Sequence, residues 1–369
     1  MAVTETERDR VLAFRSARQG LEERQPRSFA EAAACPASDF QRGSAFLAIA
    51  ARTTEITRER YDRATDAGQV AVGHCLRGAI HATAPADLAL FGRALVADHP
   101  VDLLEQLGEQ IKQQLDEQSV DPRDALDEVA RASADALSEQ GALDKNDLHE
   151  ELRAHVRMEL LPWCQGCQSH HVAPMLWRYA LVKLGARRDS RRRYLLGDPG
   201  PTQPPAEAVR RFLRYYGPAT VKEYRDWTRV GQTHARALWQ EVEGELVDVR
   251  LGGRRAWLLA EDREHLESPP GGRGLHLLPP GDPYLQRPNR TLLVPDAELR
   301  KRAFRPVASP GVVLQDGHVA GLWRARARGK RLAIDIEQIG RIDRDALQAE
   351  AHRVAELRDA QDALLNVSG

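Results

Sequence analysis

The chain has 369 residues, 42% of them hydrophobic, and its 53 basic and 54 acidic side chains give a formal net charge of −1. This length suits two to four globular domains, and the balanced charge excludes a protein coated with positive charge for nucleic acid. No run of about 18 apolar residues is present, which excludes a transmembrane helix. The charged start MAVTETERDRVL lacks the apolar stretch of a signal peptide. Four cysteines are too few for a disulfide framework of this size, so we expect a cytoplasmic protein in a reducing compartment.

The first hundred residues predict three helices and a hairpin, the outline of a winged-helix unit. Residues 5–21 carry apolar positions at helical spacing, and Ser28 with Glu31 forms a capping box for a second helix. Residues 44–64 predict a third helix. Residues 69–83 have strand character and predict the hairpin.

Two further units of the same kind follow along the chain. The second has predicted helices at 124–140, 144–156 and 172–184, and its basic tail at 186–196 is a candidate wing. The third has the order helix, helix, helix, wing. Its parts are a helix at 205–216, a capping box of Thr220 and Glu223 before the next helix, a helix at 233–242, and a hairpin at 245–260 around Gly252-Gly253.

The C-terminal part predicts a β-meander followed by a helix. Strands at 312–314 and 319–324 flank Asp316-Gly317, a dipeptide that accepts the positive φ of a two-residue hairpin turn. A third strand is predicted at 331–336, and residues 344–365 read as a long amphipathic helix. The predicted fold is α+β and helix-rich, with winged helix-turn-helix units at 1–100, 101–200 and 201–270 and a β-rich part at 271–369.

Charge is unevenly distributed along the chain. Residues 97–152 contain 16 acidic and 4 basic side chains, a formal charge of −12. Compact basic clusters lie at 187–193, 300–305 and 324–331. This uneven charge would turn one face toward phosphates and the acidic part away from them, although for any single cluster a solvated surface is the favoured interpretation.

Long ordered stretches resemble the AlkZ-like family of winged-helix DNA-binding proteins, which contains DNA glycosylases and members without an assigned role. The resemblance lies in LLPPGDPYLQRPNRTLLVPD, in RKRAFRPVASPGVVLQDGHVAGLWRAR, and in the earlier segments LRGAIHATAPADLALF, WCQGCQSHHVAPMLWRYA and RYYGPATVKEYRDW. It covers nearly the whole chain. It implies tandem winged-helix units that bind double-stranded DNA. Asp282 within it is expected to cap a turn, and Trp323 to pack against the sheet.

The family's glycosylases carry a Gln-apolar-Gln or Gln-apolar-Asp motif near the start of the chain. Aligning the LAI at residues 47–49 places the two motif positions at Ser38 and Phe40, neither of which is an amide or an acid. A register shift of one residue would instead use Asp39 and Gln41. Ser38, Asp39 and Gln41 are therefore the candidate catalytic residues, since Asp39 could orient a water. The structural alternative is that Asp39 caps the helix that begins near Ser44.

Basic side chains supply the candidate DNA contacts. For His81, the one histidine among these candidates, the alternative is a packed, buried ring. The candidates are Arg77, His81, Arg191, Arg192, Arg193, Arg290, Arg324, Arg326, Arg328 and Lys330.

Cys164-x-x-Cys167, followed by His170 and His171, has the spacing of zinc ligands. Adjacent histidines cannot easily turn toward one tetrahedral ion, and a second Cys-x-x-Cys half is missing. Small buried cysteines are the competing interpretation, and we expect no metal and no cofactor.

The sequence favours a monomeric, nucleoid-associated protein that binds double-stranded DNA, including alkylated DNA, without the family's motif. The first alternative is a glycosylase that excises bulky or cationic N-alkylated purines through an altered water-positioning site. The second alternative is a protein-interaction scaffold, which the basic clusters disfavour.

Overall fold

The computed structural model describes residues 4–197 and 203–369. Its helices are α1 (Glu5–Arg18), α2 (Phe29–Ala32), α3 (Ser44–Ala50), α4 (Arg58–Asp66), α5 (Asp87–Phe91), α6 (Pro100–Leu107), α7 (Glu109–Gln118), α8 (Pro122–Gln140), α9 (Lys145–His155), α10 (Pro174–Leu184), α11 (Glu207–Tyr216), α12 (Val221–Thr228), α13 (Gln232–Gln240), α14 (Arg263–Glu267), α15 (Arg287–Leu293), α16 (Ala297–Ala303) and α17 (Arg344–Glu356).

Its strands are β1 (Ala37–Ser38), β2 (Ala71–His74), β3 (Ile80–Thr83), β4 (Trp163–Cys164), β5 (Ser169–His170), β6 (Arg187–Arg188), β7 (Tyr194–Leu195), β8 (Leu246–Leu251), β9 (Arg254–Leu259), β10 (Leu275–Leu278), β11 (Gly311–Gln315), β12 (His318–Arg328), β13 (Arg331–Gln338) and β14 (Asp362–Ser368). This helix-rich mixture confirms the predicted α+β class. Along the chain, α11, α12 and α13 followed by the β8–β9 hairpin reproduce the predicted order of three helices and a wing.

The chain divides into two compact units, each assembled from segments that are distant in sequence. The first contains Met1–Tyr61, Arg211–Thr220 and Glu245–Gly369, and the second contains Asp62–Arg210 and Val221–Gly244. The division into four consecutive parts made from the sequence remains a prediction. No helix within the described ranges is long and apolar enough to cross a membrane.

The first unit is built on a five-stranded sheet with the order β10-β11-β12-β13-β14. Neighbouring strands are antiparallel except β13 and β14, which run parallel. Helix α17 connects those two strands and packs against β10 and β14, as a crossover between parallel strands requires. Asp316 and Gly317 have φ of 50° and 81°, so the hairpin predicted at this dipeptide is confirmed.

The second unit combines a small sheet with a helical core. Strands follow the order β3-β2-β6-β7, each pair antiparallel. Helices α6, α8, α9 and α10 pack together around fully buried side chains such as Val129, Leu148 and Leu176. The basic tail predicted as a wing therefore forms β6 and β7, which extend the sheet from β2.

Two predicted helices differ from the structure. The helix expected at 44–64 is interrupted between α3 and α4, because Thr53 leaves the helix to pair with an extended segment. Its hydroxyl accepts from Arg27 N–H and donates to Arg27 C=O, both at 3.1 Å, so its hydrogen bonds are made outside a helix.

The helix expected at 344–365 ends at Glu356. Asp359 then adopts a left-handed φ of 58°, and residues 362–368 become the parallel edge strand β14. Leu364 continued the helical spacing of apolar residues, but in the structure it belongs to this strand, opposite Ala333.

Candidate nucleic-acid interface

A row of arginines lies on the outer half of β12. Strand β11 pairs with β12 only as far as Trp323, so among the described strands residues 324–328 pair with β13 alone. Side chains two residues apart on a strand share a face, which places Arg324, Arg326 and Arg328 on one face. In the antiparallel register Arg328 lies opposite Arg331, so Arg331 joins the same face.

These arginines and Lys330 in the adjoining turn are exposed, and we name the five residues the basic ribbon. Among the described residues, Arg326 is the one member with an acidic partner, Asp335 at 3.3 Å. Arg324 donates to the Ala308 carbonyl at 2.8 Å. Within the described ranges, four of the five charges are therefore uncompensated by protein carboxylates, a state suited to binding anions.

The basic hairpin between β6 and β7 is less uniform than its sequence suggests. Arg188 is buried, lies over the Tyr194 ring at 5.2 Å and donates to the Arg192 carbonyl. Arg193 pairs with Asp189 at 2.8 Å. Arg191 is exposed, so this hairpin presents at least one surface cation, whereas Arg188 and Arg193 are engaged within the protein.

Three further candidate DNA contacts are engaged with the protein. Arg77 donates to the Trp227 carbonyl at 2.5 Å. Arg290 donates to the Leu285 carbonyl and lies 4.7 Å from the Phe304 ring. His81 is buried, donates to the Ala79 carbonyl, and burial lowers its pKa to about 3. Arg77 and Arg290 are half-buried and His81 is buried, whereas all five residues of the basic ribbon are exposed, so the ribbon is the more accessible surface for phosphates.

The region aligned with the family's motif lies at the entrance to α3. Asp39 Oδ1 accepts from the backbone N–H groups of Gly43 at 3.0 Å and Ala45 at 3.3 Å. This carboxylate therefore stabilises the start of the helix, in agreement with the capping alternative. Ser38 is buried and its Oγ accepts from Phe40 N–H at 3.4 Å, while the Phe40 side chain is 73% exposed.

Gln41 contacts a segment that is distant in the sequence. Its amide lies 3.5 Å from the Ser309 carbonyl. Gly281 packs closely against Ser38, since a Cβ on Gly281 would lie only 3.3 Å from Ser38 Cβ. Positive φ at Gly281 (88°) keeps this approach open to glycine alone. The three candidate catalytic residues are near one another in sequence, and the hydrogen bonds described for Ser38 and Asp39 come from backbone N–H groups of the same segment.

A buried ion pair beneath this region was missed by the sequence reasoning. Arg52 Nη1 and Nη2 donate to the two carboxylate oxygens of Asp282 at 2.8 and 2.9 Å, and both residues are buried. Asp282 also accepts from Tyr284 N–H, which confirms its predicted role at a turn. Trp323 is buried and donates to the Leu278 carbonyl, as expected for a residue that packs the sheet.

The cysteine segment brings together more ligand-type atoms than the sequence suggested. Ligand atoms of Cys164, Cys167 and His171 all lie within 4.8 Å of one another. The pKa of Cys164 is lowered to about 7, first because the backbone N–H of Cys167 donates to its sulfur, and then because His171 and the Cys167 thiol interact with it. The neighbouring His170 is directed elsewhere, to the Leu161 carbonyl at 2.7 Å.

Comparison with known proteins shows which family the chain resembles. A family model described as "DNA glycosylase AlkZ-like" matches residues 13–357. The curated "interstrand DNA cross-link repair glycosylase" of Streptomyces sahachiroi is 30% identical over 166 residues. That match covers 41% of this chain and 44% of the relative, so less than half of the relative's length is spanned.

A solved structure has the same fold. The Streptomyces sahachiroi DNA glycosylase AlkZ superposes with a TM-score of 0.76 at 22% identity, over 100% of both chains. The fold is thus shared over the full length, and the family match covers most of the sequence. The chain belongs to the AlkZ-like DNA glycosylase family.

Proposed function

We propose that this protein binds double-stranded DNA through its phosphate backbone, with the basic ribbon as a principal contact. The observation that carries this proposal is the row of exposed arginines on one face of β12 and β13, where four of the ribbon's five charges lack carboxylate partners among the described residues. Arginine suits phosphate because its planar guanidinium donates two parallel hydrogen bonds. A backbone contact of this kind would be insensitive to DNA sequence.

Replacing Arg324, Arg326 and Arg328 together by glutamine tests the ribbon. If each arginine neutralises one phosphate, the salt slope of log K should fall by about 3, and duplex affinity at low salt should drop by at least roughly tenfold. Fluorescence anisotropy with a duplex of arbitrary sequence measures both quantities.

A matched control removes three exposed arginines in or directly after the acidic segment, as Arg123→Gln, Arg131→Gln and Arg153→Gln. Net charge changes equally in the two triple variants, so a loss confined to the ribbon variant identifies a contact surface. Equal losses in both would show that only overall charge matters. Charged residues also protect exposed sheet edges from pairing with other chains. If the ribbon variant binds DNA as before but self-associates, edge protection is the role of these arginines.

The relative's name favours a second candidate function, hydrolysis of the glycosidic bond of a damaged nucleotide. The carboxylate charge of Asp39 would stabilise the cationic sugar as the base departs with the bonding electrons, and a water held by Asp39 would attack C1′ and pass its proton to that carboxylate. Cationic N-alkylpurines leave most easily, so excision through this weak site would be restricted to them. The capping contacts of Asp39 make this function secondary to DNA binding.

Abasic-site formation on DNA carrying a bulky N7-alkylguanine tests excision. Any activity should be abolished by Asp39→Asn, because the amide carries no charge, and undamaged DNA should not be cleaved. Asparagine still caps a helix, so folding and DNA binding should survive the change. Robust excision by the Asp39→Asn protein would remove Asp39 from the site.

A further inference from the structure

The loop before α10 forms a compact hairpin that gathers metal-binding side chains. Strands β4 and β5 pair Trp163 with His170 and Cys164 with Ser169, and Gln168 makes the return with a left-handed φ of 50°. A two-stranded hairpin this short is not stable by its own contacts. Cys164, Cys167 and His171 come together here, with their ligand atoms all within 4.8 Å of one another.

The turn between the two cysteines is closed by a local contact. Gln168 Nε2 donates to the Gln165 carbonyl at 2.7 Å, and a Cβ on Gly166 would lie 4.0 Å from the Cys164 sulfur. The Cys164 sulfur therefore lies beside the turn that carries Cys167.

Of the two adjacent histidines, only His171 faces the cysteines. The two rings therefore do not have to turn toward the same ion. His170 is held by the Leu161 carbonyl and lies edge-on to the Trp163 ring at 5.2 Å. His171 Nδ1 donates to the Val172 carbonyl at 2.8 Å. That hydrogen bond leaves Nε2 as the ligand nitrogen, and metal-bound histidines usually donate their other N–H in this way.

We propose that Cys164, Cys167 and His171 bind a zinc ion, with water in the fourth position. Two thiolates and one imidazole match zinc and exclude magnesium or calcium, which prefer oxygen ligands. Cys167 is exposed and the other two residues are half-buried, so the fourth position opens to solvent. The metal joins the β4–β5 hairpin to the start of α10, and this assignment replaces the expectation from the sequence that no metal binds.

Zinc content and cobalt substitution test the site on the whole chain. Protein purified without a metal-affinity tag should contain about one zinc per chain, measured by mass spectrometry of the elements. After chelation under reducing conditions, added Co²⁺ should produce the thiolate-to-cobalt charge-transfer band and tetrahedral d–d bands of one bound ion. This spectroscopic readout needs no variant.

His171→Gln should abolish stoichiometric zinc and the tetrahedral d–d bands, whereas the matched control His170→Gln should retain both. Circular dichroism of each variant verifies folding. The proposal is overturned if reduced wild-type protein contains no zinc and gives no charge-transfer band, or if His171→Gln retains wild-type zinc content. The proposal is also overturned if Cys164 and Cys167 form a disulfide and the protein takes up no zinc after that disulfide has been reduced.

Discussion

Replacing Asp282 by alanine is expected to lower the free energy of unfolding by about 3–5 kcal/mol, because the change leaves a buried arginine without its partner. The Arg52 guanidinium is 4% exposed and the Asp282 carboxylate is fully buried. Arg52 also donates to the carbonyls of Gln19 and Ala48, so it cannot turn out to solvent without breaking those bonds. Chemical unfolding followed by circular dichroism measures the loss.

Two comparisons separate this effect from a general loss of charge. Asp248→Ala breaks an exposed ion pair with Arg255 and should cost less than about 1 kcal/mol. The double variant Arg52→Met with Asp282→Ala should be more stable than Asp282→Ala alone, because no unpaired charge is left buried. If Asp282→Ala is no less stable than Asp248→Ala, the ion pair does not support the fold.

Acidification below pH 6.5 is expected to destabilise the protein through three buried histidines. Burial lowers the pKa of His74 to about 4 and of His81 and His276 to about 3. All three are neutral in both states above pH 6.5, so they contribute no pH dependence there. As pH falls, the unfolded chain binds protons that the folded chain excludes, and stability is lost down to the folded pKa values.

The size of the stability loss on acidification follows from the pKa shifts of the three histidines. At pH 5 each histidine should cost roughly 2 kcal/mol, since one pKa unit corresponds to about 1.4 kcal/mol. Urea unfolding at pH 7 and pH 5 measures this loss of stability. His81→Gln should reduce the difference in the free energy of unfolding between the two pH values by about a third, whereas the exposed control His155→Gln should leave that difference unchanged. A stability that stays flat between pH 7 and pH 5 contradicts the buried, neutral state of these rings.

Local signals in the sequence were sufficient for elements whose determinants are adjacent in the chain. The hairpin at Asp316-Gly317 forms because those residues adopt positive φ, a property of the dipeptide itself. The capping box at Ser28 and Glu31 is likewise present, with the hydroxyl accepting from Glu31 N–H and the carboxylate from Ser28 N–H. Such features need no knowledge of the rest of the fold.

Features that depend on distant partners could not be predicted. Arg52 and Asp282 are 230 residues apart, and nothing local marks either as half of a buried pair. Strand β14 forms because β13 offers a parallel edge, whereas its apolar residues alone also fitted a helix. At the proposed zinc site, the spacing of Cys164 and Cys167 was visible, but the sequence could not tell which histidine turns toward them.

The central claim is that this protein binds duplex DNA through phosphate contacts. Fluorescence anisotropy of the wild-type protein with an undamaged duplex, titrated from low to near-physiological salt, tests it most directly. We expect binding at low salt and a log–log salt slope of about −0.9 for each phosphate neutralised, hence a steep fall in affinity. No binding at low salt, or binding unaffected by salt, would contradict the claim.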